Sequence, residues 1–246
     1  MNKWITQLLG KKKTEAPRLC SAVVPAAGSS RRMAGVNKLL LPLEGIPVLI
    51  RTLLALDAAE RVGEIVVAAR EEDVLTIAEY CKTYGIRKPV KIVRGGEDRA
   101  ASVLAAALEC RKDAAYIAVH DGARPLATPE LIDRVIELGC RTNAAAPAVP
   151  VKDTIKVVSG DKVERTPDRE TLRAIQTPQV FDAQLLRAAL QSAVEEGASI
   201  TDDCSAVERL GKEVYLAEGS YENIKITTPE DMNLAAAILQ KREGLL

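Results

Sequence analysis

The sequence predicts a three-layer α/β/α sandwich built on a mostly parallel, Rossmann-like sheet, with a β-arm protruding from it. Three observations carry that expectation. From Leu19 onward, short β-branched runs alternate with longer Ala/Leu-rich segments, the pattern of successive βαβ units. The alternation breaks once, after Pro150, where two strand-like runs flank Ser159-Gly160-Asp161, as in a hairpin. The chain has 246 residues, 47% of them hydrophobic, enough for one large core without disulfide or metal support.

The amino-terminal segment, residues 1–17, carries Lys3, Lys11, Lys12 and Lys13 but no long apolar run. It reads as a flexible extension rather than a signal peptide, leaving one domain over 18–246. Strands are expected at Leu19–Val24, Glu64–Ala69, Val90–Val93, Tyr116–Val119 and Ala144–Val149. Helices are expected between them at Val48–Ala59, Asp73–Thr83, Arg99–Arg111 and Pro129–Gly139, the last with Thr128 as N-cap and Pro129 at its first position. The hairpin lies within an arm over 150–171, of the kind used for association. Beyond it the α/β pattern resumes with a helix over Phe181–Glu196, then Asp203–Leu210, Val214–Ala217, Asn223–Ile226 and a final helix over Pro229–Lys241.

Charge and cysteine usage exclude several functions. Lys plus Arg equals Asp plus Glu at 34 each, so no global field is available to hold nucleic acid or an anionic membrane. No stretch reaches the roughly 18 apolar residues of a spanning helix. The five cysteines lie far apart with no C-x-x-C pair, which argues against zinc and against a secreted disulfide framework. They read as reduced thiols of a cytoplasmic protein.

Chemistry concentrates where strands end, because ligands of open α/β sheets bind outside the carboxyl ends of the strands. The first strand runs into Pro25-Ala-Ala-Gly-Ser-Ser-Arg-Arg-Met. Small residues at Ala26, Ala27 and Gly28 let backbone N–H groups approach phosphate, and Arg32 supplies charge. Taken alone, this is also what a tight strand-to-helix turn with solvated arginines looks like. No G-x-G-x-x-G follows the strand and the second strand ends in Arg70 rather than an acid, so a dinucleotide site is not indicated; G-K-[ST] is absent too. Lys38 follows in Asn37-Lys-Leu-Leu-Leu-Pro and is placed to reach back to phosphates, or else is an ordinary surface lysine.

The third strand empties into Arg94-Gly-Gly-Glu-Asp-Arg-Ala-Ala-Ser. Gly95 and Gly96 permit close approach to a flat base, with Ser102 one turn into the helix, although glycines followed by acids also make an ordinary helix entry. The fourth strand delivers Val119-His-Asp-Gly-Ala-Arg-Pro. Asp121 there suits a hard cation such as Mg²⁺, and Arg124 accompanies it. His120, the only histidine, reads as a packed neighbour of Asp121 rather than a general base.

Taken in order, Pro25-Ala-Ala-Gly-x-x-x-Arg-Met, Gly95-Gly96 with Arg99 and Ser102, Val119-His-Asp-Gly-Ala-Arg-Pro, Thr177-Pro-Gln, Ile200-Thr-Asp-Asp and Asn223-Ile-Lys-Ile-Thr-x-Pro-Glu-Asp closely resemble the 2-C-methyl-D-erythritol 4-phosphate cytidylyltransferases from about Leu19 to Leu239. The resemblance implies a nucleotide-diphospho-sugar transferase-like fold, CTP as co-substrate, Mg²⁺ as cofactor and a product that feeds non-mevalonate isoprenoid synthesis. It implies that Arg32, Lys38 and Lys225 are catalytic cations gripping phosphates. Ala26, Ala27, Gly28, Gly95, Ser102 and Asp121 would surround CTP, with Asp121 also facing the metal. Arg124, Arg169, Thr177, Thr201 and Lys225 would hold the acceptor phosphate. The 150–171 arm would form a homodimer in which Arg169 serves the neighbouring subunit's site. Two alternatives stay open at this point, a ribitol 5-phosphate cytidylyltransferase and a non-catalytic nucleotide-binding subunit.

Overall fold

The computed structural model describes residues 20–28 and 37–244. The chain runs β1 (Cys20–Pro25), a two-strand ribbon of β2 (Pro42–Leu43) and β3 (Ile46–Pro47), α1 (Val48–Ala58), β4 (Val62–Ala69), α2 (Val74–Thr83), β5 (Val90–Arg94), α3 (Arg99–Glu109), β6 (Tyr116–Val119), α4 (Pro129–Thr142) and β7 (Ala144–Pro150). It continues through β8 (Val157–Ser159), β9 (Lys162–Arg165), β10 (Arg173–Ile175), β11 (Gln179–Asp182), α5 (Ala183–Glu195), α6 (Asp203–Arg209), β12 (Tyr215–Glu218) and α7 (Pro229–Arg242).

Eight strands form the main sheet. β1 pairs in parallel with β4 on one side and β6 on the other, and β4 pairs in parallel with β5. β11 runs antiparallel between β6 and β7. Ala148 of β7 meets both Ile175 and Glu218, and Ala145 meets both Val180 and Tyr215. Thus β10 and β11 share one edge of β7, while β12 takes the other in parallel.

Strands covered on both faces must be apolar throughout. β1 and β4 are accordingly nearly continuous small and β-branched residues, and alternate side chains enter two separate cores. Cys20, Ala22 and Val24 join α1, α4 and the carboxyl-terminal helix on one face, while Val23, Val66 and Ala68 meet α3, α5 and α6 on the other. The expected three layers are present.

Local signals explain the boundaries. Thr128 accepts from Leu131 N–H with Pro129 at the first turn of α4, as the sequence predicts. Two readings shift. Phe181 lies in β11 rather than opening a helix, because Asp182 accepts the backbone N–H groups of Gln184 and Leu185 and so starts α5 at Ala183. Asn223–Ile226 is extended but joins no strand; it is held instead by Ile226 N–H donating to Ala123 O at 2.8 Å. The hairpin is present as β8 and β9, turning at Gly160 with φ +56°, and its residues are mostly exposed. The 1–17 extension lies outside the described residues.

Candidate active site

The carboxyl ends of β1, β4 and β5 form a narrow slot. Ala26 N–H donates to Ala68 O at 2.7 Å and Gly95 N–H to Ala69 O at 2.8 Å, extending the strand pairing into the loops. This brings Gly95 so close to Ala27 that a Cβ at position 95 would lie 2.4 Å from the Ala27 Cβ and 3.1 Å from Ser102 Oγ. Only glycine fits. Ser102 Oγ accepts from Gly96 N–H at 3.1 Å and donates to Asp98 O at 2.7 Å, fixing the Gly-Gly turn. Asp98 is engaged as the N-cap of α3, accepting from Ala101 N–H. Gly28 stands at the open end of the β1 loop, with nothing within 4 Å of an added Cβ. Arg32 lies outside the described residues.

β6 delivers Asp121, 8% exposed, into a ring of cations. Lys225 Nζ lies 2.8 Å from Asp121 Oδ2, Arg99 Nη2 3.4 Å from Oδ1, and Arg124 Nε 3.8 Å from Oδ2. Burial opposes ionisation of Asp121, but Lys225, Arg99 and Arg124 outweigh it and hold the carboxyl well below the usual range. Lys38 joins this edge from the other side: its ammonium donates to Ile226 O at 2.7 Å, the residue next to Lys225.

Beneath Asp121 lies a buried polar scaffold. Thr177 Oγ1 accepts from Asp121 N–H at 3.1 Å and stands 2.9 Å from His120 Nδ1. Burial pushes the His120 pKa down to about 4, so the ring is neutral near pH 7. His120 is 0% exposed and Thr177 3%; both steady Asp121. Arg124 Nη1 donates to Asn223 O at 2.6 Å, and Asn223 Nδ2 donates to Thr177 O at 3.0 Å. The loop carrying Lys225 is thereby fastened to the loop carrying Asp121.

The remaining predicted residues are placed less centrally. Thr201 is exposed, its N–H donating to Ser205 Oγ just ahead of α6. Arg169 is exposed on a 3-10 turn, donating to Lys152 O within the arm at 3.1 Å; it is not among the side chains that meet Asp121. Sequence reasoning assigned no role to Asp203, which reaches Arg99 at 2.8 Å. Its only signal was the Thr-Asp-Asp run before α6. Among the described residues no group of three or more His, Cys, Asp and Glu gathers to cage a metal. A carboxylate at a strand end has the oxygen chemistry that Mg²⁺ accepts alongside substrate phosphates.

A glycine-lined slot beside an ionised carboxylate and convergent cations, all on the carboxyl edge of one sheet, defines a nucleotidyltransferase. The family model of 2-C-methyl-D-erythritol 4-phosphate cytidylyltransferase matches residues 20–241, and the chain belongs to that family. The cytidylyltransferase of Caldanaerobacter subterraneus subsp. tengcongensis is 47% identical over 228 residues, covering 90% of this chain and 99% of that one. The Bacillus cytotoxicus enzyme is 46% identical over 218 residues, covering 88% and 96%. Among solved structures, the 4-diphosphocytidyl-2C-methyl-D-erythritol synthase of Anaerococcus prevotii superposes with a TM-score of 0.82 at 31% identity, covering 92% of this chain and all of that one. The Thermus thermophilus cytidylyltransferase gives 0.71 at 32% identity, covering 89% and 98%.

Proposed function

We propose that this chain transfers the cytidylyl group of CTP to the phosphate of 2-C-methyl-D-erythritol 4-phosphate, forming 4-diphosphocytidyl-2-C-methyl-D-erythritol and pyrophosphate for non-mevalonate isoprenoid synthesis. The observation that carries the reading is the set of Lys225, Arg99 and Arg124 around Asp121. An acceptor phosphate oxygen attacks the α-phosphorus of CTP in line, a P–O bond forms, and the bond to the β-phosphate oxygen breaks. The attacking oxygen is already anionic near neutral pH, so no general base is needed, which agrees with a neutral, enclosed His120. The difficulty is bringing anions together, so catalysis rests on positioning and charge. Cations aimed at such transition states contribute about 10³ to 10⁵ in rate.

In this reading Lys38 and Arg32 grip the triphosphate, while Ala26, Ala27, Gly28, Gly95 and Ser102 surround cytosine. Lys225 lies where the two phosphates meet, and Thr177 acts through Asp121, whose N–H its hydroxyl holds. Mg²⁺, held by Asp121 and the triphosphate, supplies further charge neutralisation when bound. Arg124, Thr201 and Arg169 attend the acceptor, Arg169 from the partner of a homodimer built through the 150–171 arm. Support for association comes from Ile155, Val158, Val163 and Ile175, large apolar residues exposed on that arm and its return strand. A cytoplasmic location accords with five free cysteines. No helix among the described residues is long and apolar enough to cross a membrane.

The test is to incubate the protein with each nucleoside triphosphate, Mg²⁺ and either methylerythritol phosphate or ribitol 5-phosphate, measuring pyrophosphate. CTP with methylerythritol phosphate should dominate. Preference for ribitol phosphate, or pyrophosphate release independent of acceptor, would overturn the assignment.

A further inference from the structure

The deepest charge near the site belongs to Asp203, the first residue of α6, which is 0% exposed. Its backbone N–H donates to Gln179 Oε1 at 3.0 Å, fixing it against β11. Its carboxylate has one close cation among the described residues, Arg99 Nη2 at 2.8 Å from Oδ2, and that contact is a close ion pair rather than an aligned hydrogen bond. The same guanidinium nitrogen donates a hydrogen bond to Asp121 Oδ1 at 3.4 Å. Arg99 is thus shared unequally: it is nearer the enclosed acid and farther from the one that faces the reactants.

That inequality has a mechanical meaning. A buried carboxylate stripped of the one cation that meets it among the described residues is strongly unfavourable, so Arg99 is held from swinging away from Asp203 toward a phosphate or closing fully onto Asp121. Resting on the cytidylyl-transfer reading above, we infer that Asp203 is a positioning residue: it pins Arg99 so that the guanidinium orients Asp121 without neutralising it. The device joins the donor side, through α3, to the acceptor side, through α6, whose preceding residue pair is Thr201-Asp202.

The test compares wild type with Asp203→Asn, Arg99→Lys and the double variant, measuring kcat and both KM values. Asparagine keeps the shape but removes the charge that holds Arg99. Lysine keeps the charge but loses the rigid, planar guanidinium that fixes one nitrogen between the two acids. The expected result for each single variant is a fall in kcat of at least about tenfold with the KM for CTP within about threefold, and no further loss in the double variant. A kcat within about threefold of wild type in Asp203→Asn, whatever its melting temperature, would show the pair to be structural only and sink the inference. Should Asp203→Asn not fold, Arg99→Lys decides by the same split. If wild type itself makes no product, the cytidylyl-transfer reading has failed instead, and a crystal structure of Asp203→Asn decides for Asp203. Closure of Arg99 onto Asp121 as a two-bond pair supports the pinning role, and an unchanged separation contradicts it.

Discussion

Lys225 and Asp121 meet at 2.8 Å across two loops that the fold brings together from the middle and the carboxyl-terminal part of the chain. Asp121 ends β6 in the middle of the sheet; Lys225 sits on the extended segment before α7, tied down by Arg124, Asn223 and Ile226. A lysine 43% exposed on its side chain contributes little to stability through such a pair. Its position makes sense as a cation kept ready for phosphate.

Replacing Lys38 by alanine should lower kcat/KM by at least about a hundredfold, a transition-state loss of about 2.7 kcal/mol. The melting temperature should change little, because the side chain's donation to Ile226 O is made at a half-buried position. Steady-state kinetics with parallel calorimetry checks this. A loss below tenfold would make Lys38 a surface cation.

A methyl group at position 95 should abolish CTP binding before it abolishes folding. The added carbon would lie 2.4 Å from the Ala27 Cβ, so the β1 and β5 loops must separate and the slot loses its shape. Isothermal titration of Gly95→Ala with CTP should show affinity reduced at least about tenfold. Unchanged affinity would remove this slot as the cytosine site.

If Arg169 serves the partner's site, inactive variants should complement each other. Mixing Arg169→Ala with Lys38→Ala subunits and allowing exchange should restore about a quarter of wild-type activity, since half the dimers are mixed and each mixed dimer has one complete site. A mixture no more active than its parents places Arg169 in its own subunit's chemistry or in none.

Acid sensitivity should have a contribution far from the active site. Burial opposes ionisation of Asp57, but the N–H groups of Lys88 and Arg87 and the Arg87 guanidinium outweigh it and lower its pKa. A carboxyl lowered on folding adds stability that is present above its unfolded pKa, near 4, and is lost as pH falls below that value. Wild type should therefore lose stability more steeply than Asp57→Asn as pH falls below about 4, and Asp57→Asn should itself be about 1–3 kcal/mol less stable at pH 7. Urea unfolding across pH gives the comparison, and parallel curves would rule Asp57 out.

The layers and most strand positions were legible because buried parallel strands leave continuous apolar runs and a helix cap can leave a Thr-Pro signal, as at Thr128. β10 and β2 were not, since two- and three-residue strands carry no periodicity, and β10 depends besides on β7, a partner well before it in sequence. The strand ends bearing Asp121, Gly95 and Ala26 could be read as one edge from topology alone. Thr177 and His120 could be located but not oriented, because the Thr177 hydroxyl that meets both the Asp121 N–H and the His120 ring comes from a segment distant in sequence. Asp203 was invisible as a partner of Arg99 because nothing in a linear order says that the first residues of α3 and α6 meet.

The central claim is that cations gathered at a single sheet edge offset the repulsion between two phosphorylated reactants. Comparing the single-turnover rate of Lys225→Met, which keeps the length of the side chain without its charge, with that of Lys225→Arg tests it most directly. Methionine should slow the step by about 10³-fold at an unchanged melting temperature while arginine retains at least about a tenth of the wild-type rate. Equal rates for the methionine variant and wild type would contradict the account.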